Sequence, residues 1–130
     1  MRKRALLVED NDLNRLLFSE ILIHAGFAVV PDATGESAFE LARANALAIA
    51  VIDLALPSQP GLQLIRTLRQ TPSTRGIPII AVSAHARTED GLAALEAGAD
   101  LFFCKPVDTH RLAAALTALC DKGEREANVA

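Results

Sequence analysis

The chain contains no tryptophan and no tyrosine, and only five phenylalanines among its 130 residues. With so few aromatics it has no evident stacking platform for single-stranded nucleic acid. Positive charge is also thin: 13 lysines and arginines stand against 16 aspartates and glutamates, a net charge of −3, and the cations are scattered rather than gathered into a stripe. Direct binding to DNA or RNA is therefore not expected. Two cysteines, Cys104 and Cys120, have neither the number nor the spacing of a disulfide framework or a zinc site, and read as small buried thiols. No apolar run approaches the ~20 residues that cross a bilayer. The start MRKRALLVED holds only four apolar residues before Glu9 and Asp10, too few for a signal peptide. These absences lead to the expectation of a soluble, cytoplasmic protein without membrane insertion.

What the chain does contain is a regular alternation. Ala5 to Val8, Phe27 to Val30, Ala48 to Ile52, Ile77 to Val82 and Leu101 to Cys104 are short apolar runs ended by polar or turn residues, as strands buried on both faces read. Between them apolar residues recur at the helical period. Leu13, Leu16, Leu17, Ile21, Leu22 and Ala25 pattern the first helix, from Asp12, with Gly26 as its stop. Residues 35–45 form the second, and Leu62, Ile65 and Leu68 the third. Leu92 and Leu95 lie in an alanine-rich fourth over 88–97, and Leu112, Ala115, Leu116 and Leu119 share a face of the last, with Asp108 as its N-cap. Five strands alternating with five helices imply one α/β domain, a doubly wound parallel sheet with helices on both faces and right-handed crossovers. The domain is expected to span residues 1–121, with 122–130 as a short charged tail that frays.

In such a sheet the functional site lies beyond the carboxyl ends of the strands. Glu9 and Asp10 follow the first apolar run, Asp53 the third, Ser83 the fourth and Lys105 the fifth. Each is the first polar group after its run, so all five should converge on one cleft. Asp53, in IAVIDLALP, is costly to keep charged among hydrophobes without a partner or a metal. Three carboxylates brought close together repel and call for a hard divalent cation, and Mg²⁺ takes oxygen ligands from one or two carboxylates together with substrate phosphate. Those groups suit phosphoryl transfer onto a carboxylate. Asp53 is the expected nucleophile, with Mg²⁺ held by Asp10 and Asp53. Lys105 would neutralise a second phosphoryl oxygen and the Ser83 hydroxyl would hydrogen-bond a third.

These residues carry a family resemblance. Over residues 4 to 120 the chain resembles a receiver domain of the two-component response regulators, through VEDN at 8–11, the Asp53-x-x-Leu-Pro57 form with Gly61 after it, Val82-Ser83-Ala84, and Lys105-Pro106. The resemblance implies a flavodoxin-like sheet of strand order 2-1-3-4-5. It also implies that Asp10 ligates the metal directly and Glu9 through water, with the backbone carbonyl of Ala55 completing the protein's ligands. Asp53 becomes the phosphoacceptor, Ser83 and Phe102 a switch pair, and Lys105-Pro106 a cis peptide. The chain departs from the family pattern in having Pro60 before the glycine of the third loop and Glu9 in place of the commoner aspartate. Ala55 and His85 occupy the positions that influence phosphoryl lifetime.

The resemblance further implies partners. A phosphohistidine on a sensor histidine kinase or a histidine phosphotransfer protein would donate to Asp53. Phosphorylation would then reshape the surface of helix four, strand five and helix five, rich in small residues (Ala86, Ala93, Ala94, Ala97 and Ala113 to Ala115), for a downstream protein target or a homodimer. The chain would be a stand-alone regulator or part of a hybrid kinase, and a signalling receiver rather than an enzyme, assisting only its own phosphorylation and dephosphorylation. Three other readings compete. A haloacid-dehalogenase-type phosphatase needs a second acid two residues after the nucleophile, where this chain has Ala55. A dinucleotide module needs a glycine-rich first loop, where this chain has Glu9-Asp10-Asn11-Asp12. A docking-only receiver would not need the full set of reacting groups. The histidines His24 and His110 read as surface residues.

Overall fold

The computed structural model describes the backbone of residues 2–56, 60–84 and 88–128, and their side chains apart from those of residues 88 and 121–128. Its elements alternate throughout: β1 (Lys3–Val8), α1 (Asp12–His24), β2 (Phe27–Asp32), α2 (Ala38–Ala44), β3 (Leu47–Asp53), α3 (Gly61–Gln70), β4 (Ile79–Ser83), α4 (Thr88–Ala97), β5 (Leu101–Cys104) and α5 (Thr109–Asn128). All strand pairings are parallel and the sheet order is β2-β1-β3-β4-β5, the doubly wound arrangement expected.

The period of two along each strand builds two cores. Leu6, Val8, Ala50, Ile52, Ile79 and Ala81 face α2, α3 and α4, where Leu64, Ile65, Leu68 and Ala94 close over them. Ala5, Leu7, Ile49, Val51, Ile80 and Val82 face α1 and α5, against Phe18, Leu22, Leu112 and Leu116. Each fully buried leucine or isoleucine among them contributes roughly 1.5–3 kcal/mol. The central strands are thereby fixed in register, and with them whatever stands at their carboxyl ends.

Several boundaries differ from those read in the sequence. Asp53 is the last residue of β3 rather than the first beyond it, because it pairs with Val82, and Leu54 N donates to Val82 O at 2.9 Å. Ser83 closes β4, paired with Cys104, and Ile77 precedes that strand rather than opening it. The second helix begins at Ala38, not at residue 35. Asp32 holds the preceding turn, accepting hydrogen bonds from Thr34 N at 3.2 Å and Ser37 N at 3.0 Å, and Gly35 takes a φ of 86° there. At the other end α5 runs to Asn128. Residues 122–128 there include lysine, arginine, alanine and two glutamates, all good helix formers, beside one glycine and a closing asparagine.

Burial corrects other readings. The first helix buries Phe18 and Leu22, whereas Leu13, Leu16 and Leu17 are 73%, 59% and 42% exposed. The apolar period there covers more than the stripe that meets the sheet. In α4, Ala94 and Ala97 enter the core and Leu92 and Leu95 are exposed; Ala115 of α5 is also buried. The expected small-residue surface thus keeps only Ala93, Ala113 and Ala114 among its described alanines. Cys104 is exposed and Cys120 half-buried, and neither is in a disulfide. Cys104 ends the edge strand β5 beyond the helices' cover. His24 and His110 are exposed, as expected. Pro57, His85 and Ala86 lie outside the described residues.

Candidate functional site

Main-chain bonds tie the carboxyl ends of β1 and β2, of β3 and β4, and of β4 and β5. Lys105 N donates to Ser83 O at 2.8 Å, and Glu9 N donates to Asp32 O at 3.2 Å. Gly61, opening α3, presses directly on β3: a Cβ there would collide with the carbonyl oxygen of Asp53 and come within 2.6 Å of Leu54 Cα. An antiparallel bridge between Ala55 and Pro60 closes the loop in between.

Asp53 is only 3% exposed, and both carboxylate oxygens are held. Oδ1 accepts a hydrogen bond from Ala55 N at 2.9 Å, and Oδ2 accepts one from Lys105 Nζ at 2.9 Å. The same ammonium lies 2.6 Å from Glu9 Oε1. Glu9 is fully buried, and its other oxygen accepts from Asn11 N at 3.3 Å. Asp10 beside it is exposed. One oxygen from each of Glu9, Asp10 and Asp53 falls within 4.8 Å of the others.

Two buried carboxylates sharing one lysine set the electrostatics. Burial, reinforced by neighbouring Asp53, pushes the Glu9 carboxyl from 4.5 up to about 7, against the opposing pull of Lys105 and the Asn11 N–H. Burial opposes the charge on Lys105, yet the Glu9 and Asp53 carboxylates outweigh it and raise the ammonium's pKa. Such a cluster is short of positive charge. Its donors are all hard oxygens, the set that Mg²⁺ takes. Glu9 Oε1, buried and paired with Lys105 out of hydrogen-bond alignment, retains unused lone-pair capacity. Glu9, Asp10 and Asp53 therefore fit a divalent cation.

The five polar residues expected at the strand ends do meet at one edge, with Ser83 buried at the end of β4 beside them. Ala55 adjoins Asp53 and already uses its N–H on that carboxylate. Phe102 is not part of the cluster. It lies half-buried on the α2–α4 side of the sheet, its ring against α4, where a Cβ on Gly91 would come within 3.0 Å of it. The Lys105–Pro106 peptide is cis, as the resemblance implied.

Two participants were not singled out from the sequence. Asn11 caps α1 by accepting from Asn14 N at 2.9 Å, and its own N–H serves Glu9. Arg15 folds back so that Nη1 donates to Glu9 O at 3.2 Å while Nη2 pairs with Asp12 at 2.6 Å. The spacing of Asp12 and Arg15, three apart on a helix, is the signal that could have found it.

Comparison with known proteins gives the family and supports the fold. The family model described as the response regulator receiver domain matches residues 5–117. The polar-differentiation response regulator DivK of Brucella ovis is 32% identical over 111 residues, covering 85% of this chain and 90% of its own. A CheY-like receiver domain protein from Methanospirillum hungatei superposes with a TM-score of 0.88 at 27% identity, over 97% of this chain and 99% of its own. The receiver domain of a Pseudomonas aeruginosa sensor histidine kinase, solved with a magnesium ion coordinated in its active-site cleft, gives 0.85 at 29% identity, over 93% and 99%.

Proposed function

This chain belongs to the response regulator receiver family, and we propose on that footing that Asp53 accepts a phosphoryl group from a phosphohistidine. The donor is a sensor histidine kinase or a histidine phosphotransfer protein. The observation that carries this reading is the fixing of Asp53: a carboxylate 3% exposed, one oxygen on Ala55 N and the other on Lys105 Nζ, beside two further carboxylates.

An Asp53 oxygen attacks phosphorus as the bond to the imidazole nitrogen breaks, and the imidazole leaves with the electron pair and takes up a proton. Asp10 and Asp53, the Ala55 carbonyl and, through water, Glu9 would hold Mg²⁺. Bound there, the cation supplies charge neutralisation for a phosphoryl oxygen and a template for its approach. Lys105 moves its hydrogen bond from Asp53 Oδ2 to a phosphoryl oxygen, and the Ser83 hydroxyl donates to another. Drawing Ser83 toward the phosphoryl group vacates space behind it, into which Phe102 turns from its place against Gly91. The α4, β5 and α5 surface then changes for a downstream protein target or a second copy, and exposed Leu92 and Leu95 supply apolar contact on it. The chain works as a signalling receiver in the cytoplasm, not as a turnover enzyme. No described helix is long and apolar enough to cross a membrane.

A dehalogenase-type phosphatase would need an acid where exposed Ala55 stands. Incubation with acetyl phosphate and Mg²⁺, followed by intact mass, tests the proposal. One phosphoryl group on the wild type and none on Asp53→Asn is expected. Equal labelling of both removes Asp53 as acceptor, and an unlabelled wild type supports a docking-only receiver.

A further inference from the structure

The acidic loop is gripped from two sides. Lys105, arriving from β5, bonds the side chains of Glu9 and Asp53. Arg15, arriving from the second turn of α1, grips the main chain. Its Nη1 donates to the carbonyl oxygens of Glu9 at 3.2 Å and Asp10 at 3.5 Å, and its Nη2 donates to Asp12 Oδ1 at 2.6 Å. Arg15 N also donates to Asn11 O at 2.8 Å, so backbone and side chain of one residue contact positions 9, 10, 11 and 12. The guanidinium side chain is 25% exposed, packed down on the loop rather than extended into solvent.

The two acids of this loop depend on that grip unequally. Glu9 has its own supports: Lys105 on one oxygen, Asn11 N on the other, and its N–H on Asp32 O. Asp10 is exposed, and among the described residues no hydrogen bond reaches its carboxylate. The direction of the Asp10 side chain follows from the peptide planes on either side of it. Those are the planes whose carbonyls Arg15 holds.

We infer that Arg15 is a positioning residue of the metal pocket, orienting the Asp10 carboxylate toward the cation through the main chain. The inference rests on the proposed reading of Glu9, Asp10 and Asp53 as the Mg²⁺ site. It places Arg15 among the outer groups whose loss commonly lowers metal affinity ~10–100-fold without touching the metal.

Charge and position predict opposite signs here, so the two can be separated. Arg15 is a cation near a cation site. If it acted only through its charge, Arg15→Gln would relieve repulsion and tighten Mg²⁺, and Arg15→Lys would change nothing. If it positions Asp10, both variants weaken Mg²⁺, because a lysine keeps the charge but lacks the planar fork that spans two carbonyls and a carboxylate.

Mg²⁺ alone is titrated into the full chain by calorimetry at fixed ionic strength, for the wild type, Arg15→Gln and Arg15→Lys. The thermal midpoint of each metal-free protein is measured alongside. Weakening of about tenfold in Arg15→Gln, and at least a few-fold in Arg15→Lys, is expected, with midpoints close to that of the wild type. Tighter or unchanged binding in either variant overturns the inference. So does a loss of affinity that appears only in a variant whose metal-free midpoint has collapsed. A wild type that takes up no Mg²⁺ overturns the metal reading itself, and the assignment of Arg15 with it.

Discussion

Lys105 Nζ donates to Asp53 Oδ2 at 2.9 Å across a sequence separation of 52 residues, and only the closure of β3, β4 and β5 into one sheet brings the two together. The lysine side chain is 14% exposed and the aspartate side chain 4%, so the pair is largely shielded from water and is shared with a second buried carboxylate, Glu9.

Removing that cation leaves two buried carboxylates with backbone N–H donors but without the ammonium that offsets their charge. Lys105→Met is expected to destabilise the metal-free protein by about 3 kcal/mol, the usual cost of stranding a buried charge. Saturating Mg²⁺ should restore part of the loss by supplying the missing positive charge. Urea unfolding with and without Mg²⁺ measures both, and a Lys105→Met midpoint equal to that of the wild type would contradict the prediction.

Stability should also depend on pH through Glu9, whose carboxyl is raised on folding from 4.5 to about 7. A carboxyl raised in this way favours the protonated native state. Its contribution is whole below pH 4.5 and is lost as pH climbs through 7. Metal-free protein is therefore expected to lose stability between about pH 5 and 8, on the order of 1–3 kcal/mol. Mg²⁺ favours the ionised carboxylates and should flatten that slope. Urea midpoints taken across this window test it. A metal-free midpoint that rises with pH would count against the environment described for Glu9.

Gly61→Ala inserts a methyl group against the Asp53 carbonyl and Leu54 Cα, both of them main-chain atoms that cannot rotate away. A loss of about 1–3 kcal/mol is expected from overpacking. Because the displaced segment carries Asp53, Mg²⁺ affinity should fall as well. Thermal unfolding and metal titration report the two effects separately, and an alanine variant unchanged in both would show that the contact yields.

Arg69 provides a contrast to Arg15. From the last turn of α3 it donates to Gly98 O at 2.7 Å, Arg75 O at 2.8 Å and Asp100 Oδ2 at 2.9 Å, at the end of the sheet away from the carboxylates. Asp100 Oδ2 in turn accepts from Ile79 N at 2.8 Å. Arg69→Ala should cost about 2 kcal/mol through the carbonyls and carboxylate it strands, with Mg²⁺ affinity preserved. Loss of Mg²⁺ binding in a folded Arg69→Ala protein would tie the two ends of the sheet together in a way that this geometry does not predict.

Much of this molecule is legible from residue order. IAVIDLALP reads as a buried strand delivering a carboxylate, and the five apolar runs predict both the sheet and the edge on which Glu9, Asp10, Asp53, Ser83 and Lys105 meet. Burial was less legible. Leu13, Leu16 and Leu17 carry the helical period yet remain exposed, because periodicity states which residues can share a face and not which face the sheet will cover. Cys104 reads as an apolar strand residue, but it ends an edge strand and is exposed there.

The sequence by itself determined the class of fold and the chemical types at its functional edge, since both follow from local patterns of period two, period three to four, and the first polar residue after each run. Tertiary structure decided how those groups divide the work. Glu9 and Asp10 are neighbours in the chain, yet one is sealed with its pKa near neutrality and the other lies open to solvent. Which of them Lys105 reaches, and that Arg15 closes over both carbonyls, depend on distances between elements far apart in sequence. Those distances exist only once the two cores have packed and fixed the strands in register.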